Sequence, residues 1–540
     1  MQLLLEEEHH EAAPDRRRQE CGGIRRKPVR GGTGLGASGR DPGDGDELRE
    51  IAVNAHAKVL WPQAGDRLPP MEDPGIDHDA FDGHGLLQDR RDLRFLQRFA
   101  REEEERCERR HAETLARRGP RACGEPGRYN PLDPETSMAV ETLAQLFELM
   151  HSTIPARRAL TLEALASRPG SPDAIRLLRD ALGALEAIPD GPTGRRLAIE
   201  GGRSIRVELG YELGELRKDL TFLKQGEEAL LAHLAERHKG LREEVAAGLD
   251  ALEGIALQTF VTDRDGTVNN YAGRYGSSVQ STYNAVFLTR FARSRARAHG
   301  SVLLTSAPLD DTGVADMAVT PPGTFVFAGS KGREYFDPDG RRTQYPVEPT
   351  RQKRLDEFND RLHRLLEEPG NEVFRLIGSG LQLKFGETTI ARQDIGGTVP
   401  REEAARFLGQ VRRLVRSVDP DSTVLHLQDT GLDVEILLTV DDARGGPARD
   451  FDKGDGLRFL NRGLGLGMHE GACLVCGDTD ADVPILEAAL DLAPETHAVF
   501  VTEDQERRQA VRKRLPDTLF VSEPDTLVSL LNALGGGARP

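Results

Sequence analysis

The sequence predicts an α/β protein in which a doubly wound parallel sheet carries an inserted α/β cap domain, behind a helical region and a disordered N-terminal tail. Three observations lead to this prediction. Short apolar strands alternate with helical segments after Leu257, helical periodicity dominates from Asn130 to Leu252, and the stretch between Ser306 and Lys453 is too long for one crossover helix. Apolar strands that alternate with helices are typical of parallel sheets covered on both faces.

The first part of the chain has the composition of a tail. Residues 1–87 are rich in Gly, Pro, Arg and Asp and show no sustained apolar periodicity. Such a segment cannot bury enough apolar surface to offset the entropy of ordering, so we expect disorder. Within it, the glycine pattern from Gly34 to Gly39 has no strand before it and no helix after it, so we interpret it as a flexible loop.

Composition also excludes several classes of protein. The net charge of −17 over 540 residues argues against nucleic-acid binding as the main task. The sequence contains no run of about 18 apolar residues, which a membrane span requires. Five cysteines in so long a chain do not make a disulfide framework, and the N-terminus lacks the features of a secretory signal. We therefore expect a cytoplasmic protein with neither nucleic acid nor membrane as a partner.

Residues 88–252 are predicted to be helical. A charged helix over 88–118 precedes amphipathic segments such as the one carrying Val140, Leu143 and Leu146. Breaks at Pro169-Gly170 and near Pro189 separate these helices. We interpret the region as a helical bundle or hairpin whose apolar stripes form a core or an oligomer interface, and we find no chemistry in it.

The remaining chain divides into a core and an insert. Strands at Thr259–Thr262, Ser301–Thr305 and Ala472–Cys476 belong to the core, which we assign to residues 253–311 and 449–540. Residues 312–448 form the predicted cap. Its predicted elements are a strand at Gly323–Phe327, helices at Arg351–Leu366 and Glu402–Val418, and strands at Leu381–Phe385, Thr388–Arg392, Thr423–Leu427 and Asp433–Leu438.

Four short segments carry the chemistry: Val261–Thr267, Leu303–Ser306, Asp452–Gly454 and Gly477–Asp482. Each begins where a strand ends or a helix starts, and such sheets bind ligands beyond the carboxyl ends of their strands. Together they supply a carboxylate nucleophile, a second carboxylate to move a proton, carboxylates for a hard cation, and a hydroxyl and a lysine for phosphoryl oxygens. These are the groups that phosphate-monoester hydrolysis requires.

In this order the four segments resemble the signature of haloacid-dehalogenase-like phosphatases, and the resemblance runs from Leu257 to Leu534. Asp263 ends its strand and is the expected nucleophile. Asp265 is the expected acid that protonates the leaving oxygen and then activates water. The expected phosphate-binding hydroxyl is Ser306, with its neighbour Thr305 as the alternative.

The same segments predict a Mg²⁺ site. Lys453 supplies a charge to the phosphate and to the nucleophile. We assign Asp263, Asp265, Asp478 and Asp482 to the metal, with Asp482 either a ligand or an anchor for the loop. Asp480, between the last two, is expected to face solvent.

Three segments of the insert resemble the lid of trehalose-6-phosphate phosphatases: Gln382-Leu-Lys384, Ile390-Ala-Arg392 and Val434-Glu-Ile436. The resemblance makes Lys384, Arg392 and Glu435 candidate sugar-contact residues. The chain departs from that family's pattern in three places. Gln382 replaces an acid, Ser306-Ala-Pro308 replaces Ser-Gly-Arg, and Thr479-Asp-Ala481 differs from the family's fourth motif.

The resemblance implies a Mg²⁺-dependent phosphatase that hydrolyses a disaccharide phosphate, trehalose 6-phosphate first, through an aspartyl-phosphate. Glucosylglycerol phosphate, sucrose phosphate and mannosylglycerate phosphate are the alternative substrates. Because no glycosyltransferase portion is visible, we expect the chain to act after a separate synthase. An alternative from another class is a non-catalytic helical scaffold with a vestigial phosphatase fold, which the intact set Asp263, Asp265, Lys453 and Asp478 disfavours.

Overall fold

The protein is described by a computed structural model over residues 139–191, 194–199, 202–296, 300–337, 340–441 and 448–540. The predicted tail and the charged helix over 88–118 lie outside these residues. Within them, no helix is both long and apolar enough to cross a membrane.

A helical bundle begins the described chain. Its elements are α1 (Leu143–Ser152), α2 (Ile154–Leu165), α3 (Pro172–Glu186), α4 (Gly210–Gln225), α5 (Glu227–Arg237) and α6 (Leu241–Leu252). Between α3 and α4 lies a small antiparallel sheet that the sequence did not predict, formed by β1 (Asp190–Gly191), β2 (Gly194–Ala198) and β3 (Ser204–Arg206). The stretch near Pro189 thus ends a helix, as predicted, and then continues into strands rather than a second helix.

The apolar stripes of the bundle are buried within the chain. Leu146 and Leu216 belong to one apolar cluster that also includes cap residues such as Ile390. Leu230 and Leu234 of α5 belong to a second cluster, on a face of the catalytic sheet. These apolar stripes therefore form part of the hydrophobic core. The sequence had left open whether they form a core or an oligomer interface.

The core is an α/β unit built on one eight-stranded sheet. Its strands are β4 (Leu257–Thr262), β5 (Ser301–Leu304), β6 (Val326–Gly329), β7 (Glu334–Phe336), β8 (Arg342–Gln344), β14 (Ala472–Gly477), β15 (Glu495–Val501) and β16 (Leu519–Val521). Their order in the sheet is β16-β15-β14-β4-β5-β6-β7-β8. Strands β16 to β6 in this order are parallel, whereas β7 and β8 are antiparallel to their neighbours. The predicted parallel-sheet fold is confirmed.

Helices cover both faces of this sheet. They are α7 (Thr282–Arg295), α8 (Val314–Met317), α11 (Lys453–Leu464), α12 (Val483–Leu492), α13 (Gln505–Arg512) and α14 (Pro524–Leu534). The apolar residues of α7 and α14 pack in one cluster with those of α5 and α6, and those of α11 and α12 pack in another. The bundle therefore supplies part of the covering layer of the core.

The cap is an antiparallel sheet with helices on its apolar face. Its elements are α9 (Pro349–Leu366), β9 (Leu381–Lys384), β10 (Glu387–Ala391), α10 (Arg401–Val418), β11 (Leu425–Asp429), β12 (Asp433–Val440) and β13 (Arg449–Asp450). The strand order is β11-β12-β10-β9, with β13 paired to β12. Ile390, Val434 and Ile436 are buried with apolar residues of both helices.

One predicted strand belongs to a different sheet. The strand expected at Gly323–Phe327 was assigned to the insert, but the observed β6 pairs with β5, through Val302 and Val326 among others. Strands β7 and β8 extend the same core sheet. The assignment of this strand to the cap is therefore wrong, because a short apolar run predicts a strand without indicating which sheet it joins.

Candidate active site

The four motifs meet at the carboxyl end of the core sheet. Strands β4 and β14 are adjacent, with Thr262 paired to Cys476, so the residues that follow them emerge side by side. Asp263 follows β4 directly, and Asp478 follows β14. Helix α11 begins at Lys453, and Gly454 allows it to approach α12, because a Cβ there would lie 2.4 Å from the carbonyl oxygen of Pro484.

Lys453 joins two of the motifs. Its Nζ lies 2.6 Å from Oδ1 of Asp263 and 2.6 Å from Oδ1 of Asp482, and all three side chains are buried. Burial by itself would lower the pKa of Lys453, but the two carboxylates raise it above its usual range. The lysine is therefore a fixed cation beside the expected nucleophile.

Three buried carboxylates form a potential cation site. Asp263, Asp478 and Asp482 each offer an oxygen, and these oxygens lie within 4.8 Å of one another. Burial, and then repulsion from neighbouring carboxylates, raises the pKa of Asp478 to about 8. Burial raises the pKa of Asp263 to about 7 despite the nearby Lys453. One ammonium group therefore leaves this cluster with an excess of negative charge.

Asp482 has most of its hydrogen-bonding capacity occupied by protein groups. Its Oδ2 accepts the backbone N–H groups of Asp478 and Thr479 at 3.0 Å each, while its Oδ1 faces Lys453. Burial raises the pKa of Asp482, but Lys453 and these donors outweigh that effect and lower it. These contacts favour the anchoring role over the ligand role that the sequence left open for this residue.

The first motif turns sharply toward Asp478. Gly266 has a φ of +87°, and a Cβ at this position would lie 2.3 Å from Oδ2 of Asp478. The hydroxyl of Thr267 lies 3.3 Å from Asp263 Oδ2 and 3.2 Å from Asp478 Oδ1. Tyr271, which the sequence interpretation missed, donates its hydroxyl to Asp478 Oδ2 at 2.7 Å. An aromatic residue in the polar loop after the first motif was the available signal.

Asp265 lies beside this acidic cluster and is not a member of it. Its Oδ1 accepts hydrogen bonds from Arg264, from Ser278 Oγ at 3.3 Å and from Asn269 Nδ2 at 3.4 Å. Protein donors thus hold Oδ1 of Asp265, and the metal role that the sequence predicted for this residue stays a prediction. We name residues 263–281, which include all these donors, the catalytic loop.

The second motif brings its hydroxyl groups to the same edge of the sheet. Thr305 directly follows β5 and is buried, and its Oγ1 accepts the backbone N–H of Ala307 at 3.2 Å. Ser306 is partly buried. Asp480 is exposed, as expected, and its Oδ1 lies 3.5 Å from Nε of Arg507.

The polar face of the cap sheet carries two of the three predicted sugar contacts. Lys384 and Glu387 are paired in register and joined by an ion pair of 2.8 Å. Glu435 pairs with Lys331 at 3.2 Å, and Lys331 also lies 2.9 Å from Glu387. Lys384 and Glu435 therefore belong to one charged cluster, which we name the cap cluster: Lys331, Lys384, Glu387 and Glu435.

Lys331 comes from the core and was missed by the sequence interpretation. It occupies the turn after β6, where Ser330, Lys331 and Gly332 all have positive φ. The backbone N–H of Lys331 donates to the carbonyl of Thr305, so this turn connects the second motif to the cap. The signal in the sequence was a lysine between two glycines, Gly329 and Gly332, directly after an apolar strand.

Arg392 is separated from this cluster. It follows the far end of β10, and its Nε lies 2.7 Å from Asp429 Oδ1. The structure therefore brings Lys384 and Glu435 together and pairs Arg392 elsewhere in the cap.

Two family descriptions match this chain. Residues 260–527 match "Trehalose-6-phosphate phosphatase, C-terminal", and residues 142–238 match "Trehalose-6-phosphate phosphatase N-terminal helical bundle domain". The matched segments correspond to the core with its cap and to most of the described bundle.

Curated relatives fall into two groups. The alpha,alpha-trehalose-phosphate synthase [UDP-forming] 1 of Caenorhabditis briggsae is 34% identical over 409 residues, which cover 69% of this chain and 29% of that protein. The trehalose-phosphatase of the same organism is 27% identical over 425 residues, covering 72% of this chain and 96% of that protein. The chain therefore spans less than a third of the first relative and nearly all of the second.

A solved C-terminal domain of trehalose-6-phosphate phosphatase from C. albicans aligns with a TM-score of 0.37 and 12% identity, over 54% of this chain and 97% of that one. That similarity is too low to bear on the site. The two family matches, which together include most of the bundle and all four motifs, are decisive. The chain belongs to the trehalose-6-phosphate phosphatase family.

Proposed function

We propose that this protein is a Mg²⁺-dependent phosphatase that hydrolyses trehalose 6-phosphate to trehalose and inorganic phosphate. The observation that carries the proposal is Lys453, which bridges Asp263 and Asp482 with Asp478 in the same buried cluster. Residues from three distant motifs converge there with the chemistry that phosphoryl transfer requires. The family match supports the choice of substrate.

Asp263 is the proposed nucleophile. Its carboxylate oxygen attacks the phosphorus atom and forms an aspartyl-phosphate as the bond between phosphorus and the sugar oxygen breaks. Lys453 orients this carboxylate and offsets charge on the phosphoryl oxygens. The hydroxyl of Ser306 or Thr305 binds one of those oxygens.

Asp265 is the proposed acid and base. It first gives a proton to the sugar oxygen as that oxygen leaves, and then takes a proton from the water that attacks the aspartyl-phosphate. That attack breaks the bond between phosphorus and the Asp263 oxygen and releases phosphate. Because donors occupy Oδ1 of Asp265, the second oxygen is the one we assign to this proton transfer.

The cluster of Asp263, Asp478 and Asp482 has the ligand chemistry that Mg²⁺ prefers. Its donors are all carboxylate oxygens, which hard cations prefer. Three carboxylates beside one ammonium leave an uncompensated charge that a divalent cation would neutralise. We assign Asp263 and Asp478 as the residues that hold the ion, with Asp482 as the anchor of the loop. When bound, Mg²⁺ would supply electrostatic stabilisation of the phosphoryl group.

The cap cluster is the proposed sugar site. Lys384, Glu387 and Glu435 lie on the polar face of the cap sheet, and Lys331 links them to the turn next to the second motif. Charged side chains of both signs can hydrogen-bond sugar hydroxyl groups as donors and acceptors. Arg392 remains a weaker candidate because it pairs with Asp429 outside this cluster.

The substrate would come from a separate or fused synthase. Several relatives that match this chain are named as trehalose-phosphate synthases, and the chain covers about a third of their length. A glycosyl transfer that makes a disaccharide phosphate is the reaction that must precede this one. We expect both to occur in the cytoplasm, where the buried thiols of Cys473 and Cys476 stay reduced.

A phosphate-release assay tests the proposal. Trehalose 6-phosphate, sucrose phosphate, glucosylglycerol phosphate and mannosylglycerate phosphate are compared with and without Mg²⁺, using wild type and Asp263→Asn. We expect the highest kcat/KM on trehalose 6-phosphate, dependence on Mg²⁺, and a loss on the order of 10³-fold or more in the variant. A higher kcat/KM on another member of the panel would reassign the substrate. Absence of hydrolysis by the wild type across the panel would favour the scaffold alternative.

A further inference from the structure

Helix α4 of the bundle has an unusual polar stripe. Tyr211, Glu212, Glu215, Lys218 and Asp219 all lie on it and are all buried. Their spacing places them on one side of the helix, because residues three, four and seven apart share a face. Leu213, Leu216 and Leu220 occupy another side and pack into the bundle. The helix therefore has two buried faces, one apolar and one polar.

The polar stripe faces the catalytic loop and the helix that follows it. Glu212 accepts the hydroxyl of Ser277, and Glu215 accepts Asn270 Nδ2 at 3.2 Å. Asp219 accepts the backbone N–H of Thr282 at 2.7 Å, at the start of α7. The stripe thus contacts the loop along its length, up to the start of the next helix.

Tyr211 makes the contact nearest to the chemistry. Its hydroxyl lies 2.8 Å from the carbonyl oxygen of Val279 and 3.2 Å from Oδ1 of Asn269, both of which can accept its proton. Asn269 in turn directs its Nδ2 toward Asp265 Oδ1 and toward the hydroxyl of Ser278. The side chain of Asn269 is therefore held at one end by the bundle and holds the proposed acid at the other.

The backbone of the loop supports the same link. The backbone N–H of Gly266 donates to the carbonyl of Asn269 at 2.7 Å, and the N–H of Asn269 donates to the carbonyl of Arg264 at 2.9 Å. Asn269 is thus fixed within the turn that carries Asp265. A shift of the Asn269 side-chain amide would therefore change the position of the Asp265 carboxylate that it contacts.

We propose that Tyr211 is a positioning residue: the bundle uses its hydroxyl, through Asn269, to hold Asp265 in the orientation that protonates the leaving group. The inference rests on the proposed function, in which Asp265 is the acid. It assigns to the bundle an indirect part in the reaction, through the position of Asp265. A catalytic core without the bundle would contain Asp265 and lack this support.

The leaving group provides a specific readout. A sugar oxygen is a poor leaving group and needs a proton, whereas p-nitrophenolate is a good leaving group and does not. The value of kcat/KM reports the step in which the leaving group departs, so it responds to Asp265 only for the sugar substrate. A positioning defect should therefore separate the two substrates, and a general loss of folded enzyme should not.

The experiment compares Tyr211→Phe with wild type on trehalose 6-phosphate and on p-nitrophenyl phosphate, both with Mg²⁺. We expect kcat/KM to fall about 3- to 10-fold on the sugar phosphate and to change by less than about 2-fold on the aryl phosphate, in line with the loss of one neutral hydrogen bond. The matched control is Tyr283→Phe, which removes another buried tyrosine hydroxyl near the bundle, one that donates to Asp525 at 2.7 Å and has no contact with Asn269. Any loss in this control should be the same on both substrates.

A double-mutant cycle tests the route through Asn269. Asn269→Ala should reproduce the leaving-group pattern, and adding Tyr211→Phe to it should cause little further loss. Equal losses on both substrates, or additive losses in the cycle, would overturn the inference. If Tyr211→Phe leaves the ratio of kcat/KM on the sugar phosphate to kcat/KM on the aryl phosphate unchanged, while Asp265→Asn lowers activity on the sugar phosphate, the inference is overturned. The proposed function then remains intact. If Asp265→Asn hydrolyses the sugar phosphate as fast as the wild type does, the proposed function itself is overturned.

Discussion

The bundle and the cap both contact the catalytic core, and they do so differently. The ion pair Lys218–Asp525, which connects the bundle to the core, is 5% and 6% exposed, and the pair Arg157–Asp219, which joins two helices of the bundle, is 0% exposed on both sides. In the cap cluster, Lys384 and Glu387 are 3% and 1% exposed, whereas Lys331 and Glu435 are 13% and 18% exposed. These bundle pairs are therefore part of the folded interior, whereas Lys331 and Glu435 of the cap cluster remain accessible to a polar ligand.

This difference predicts two kinds of defect. Charged groups buried without solvent are costly unless they are paired, so loss of a bundle contact should affect stability or the geometry of the catalytic loop. Partly exposed charged groups on the cap should affect the sugar that they bind, with little effect on the chemistry of the core. The predictions below run from the largest expected effect to the smallest.

The metal site serves as the reference, because the effect of losing it should depend on neither the bundle nor the cap. Asp478→Ala removes a carboxylate oxygen that we assign to Mg²⁺ and should lower kcat/KM by more than about 100-fold on every substrate. Mg²⁺ binding measured by calorimetry should weaken with it. Asp480→Ala, which changes an exposed neighbour in the same motif, is the control. Full activity of the wild type in EDTA would contradict the assignment of the metal.

The free energy of unfolding should distinguish the bundle from the cap. Asp219→Asn leaves the Arg157 guanidinium buried without its charged partner and should lower the free energy of unfolding by about 3–5 kcal/mol. The matched change in the cap is Asp429→Asn, which breaks the more exposed pair with Arg392 and should cost about 0.2–1 kcal/mol. Urea denaturation of both variants measures the difference. Similar losses in the two variants would remove the distinction between the bundle and the cap.

Substrate choice should depend on the cap. Glu435→Gln should lower kcat/KM on trehalose 6-phosphate by about 10-fold, because the glutamine amide can still accept a hydrogen bond but no longer offers a charged acceptor. Hydrolysis of p-nitrophenyl phosphate, which does not carry the sugar, should change much less. Arg392→Gln should have a smaller effect on the same ratio. Parallel losses on both substrates would mean that Glu435 maintains the fold of the cap.

The pH dependence of stability should report the bundle contact at Asp525. Burial raises the pKa of this carboxyl group, but Lys218, His238 and Tyr283 outweigh burial and lower the pKa below its ordinary value of 3.8. The stabilisation is therefore present above that pH and is lost as the pH falls below it. The difference in free energy of unfolding between wild type and Asp525→Asn should shrink in acid. A constant difference down to pH 2 would contradict this.

The sequence predicted the parts of the site that follow from local rules. Asp263 and Asp478 end apolar strands, and the carboxyl ends of neighbouring parallel strands meet at one edge, so their convergence could be expected. The cap strands that carry Lys384 and Glu435 could likewise be predicted from their alternating pattern.

Other parts depend on contacts between distant segments. The charged residues of α4, such as Glu215 and Lys218, suggest a solvated helix face until the partner Asp525 is known. The role of Lys331 depends on Glu387 and Glu435 in another sheet. The predicted metal role of Asp265 could not be distinguished from a role in hydrogen bonding, because Ser278 approaches it only in the folded loop.

The most direct test of the central claim is chemical trapping of the phosphorylated nucleophile. Asp265→Asn should slow the removal of phosphate from Asp263, so the aspartyl-phosphate should accumulate when this variant is mixed with Mg²⁺ and p-nitrophenyl phosphate, whose leaving group needs no proton. Borohydride reduces an acyl phosphate to an alcohol, and peptide mass spectrometry then locates it. The account predicts homoserine at position 263 and unmodified Asp478 and Asp482. Reduction at another carboxylate, or none at Asp263 while phosphate is being released, would contradict it.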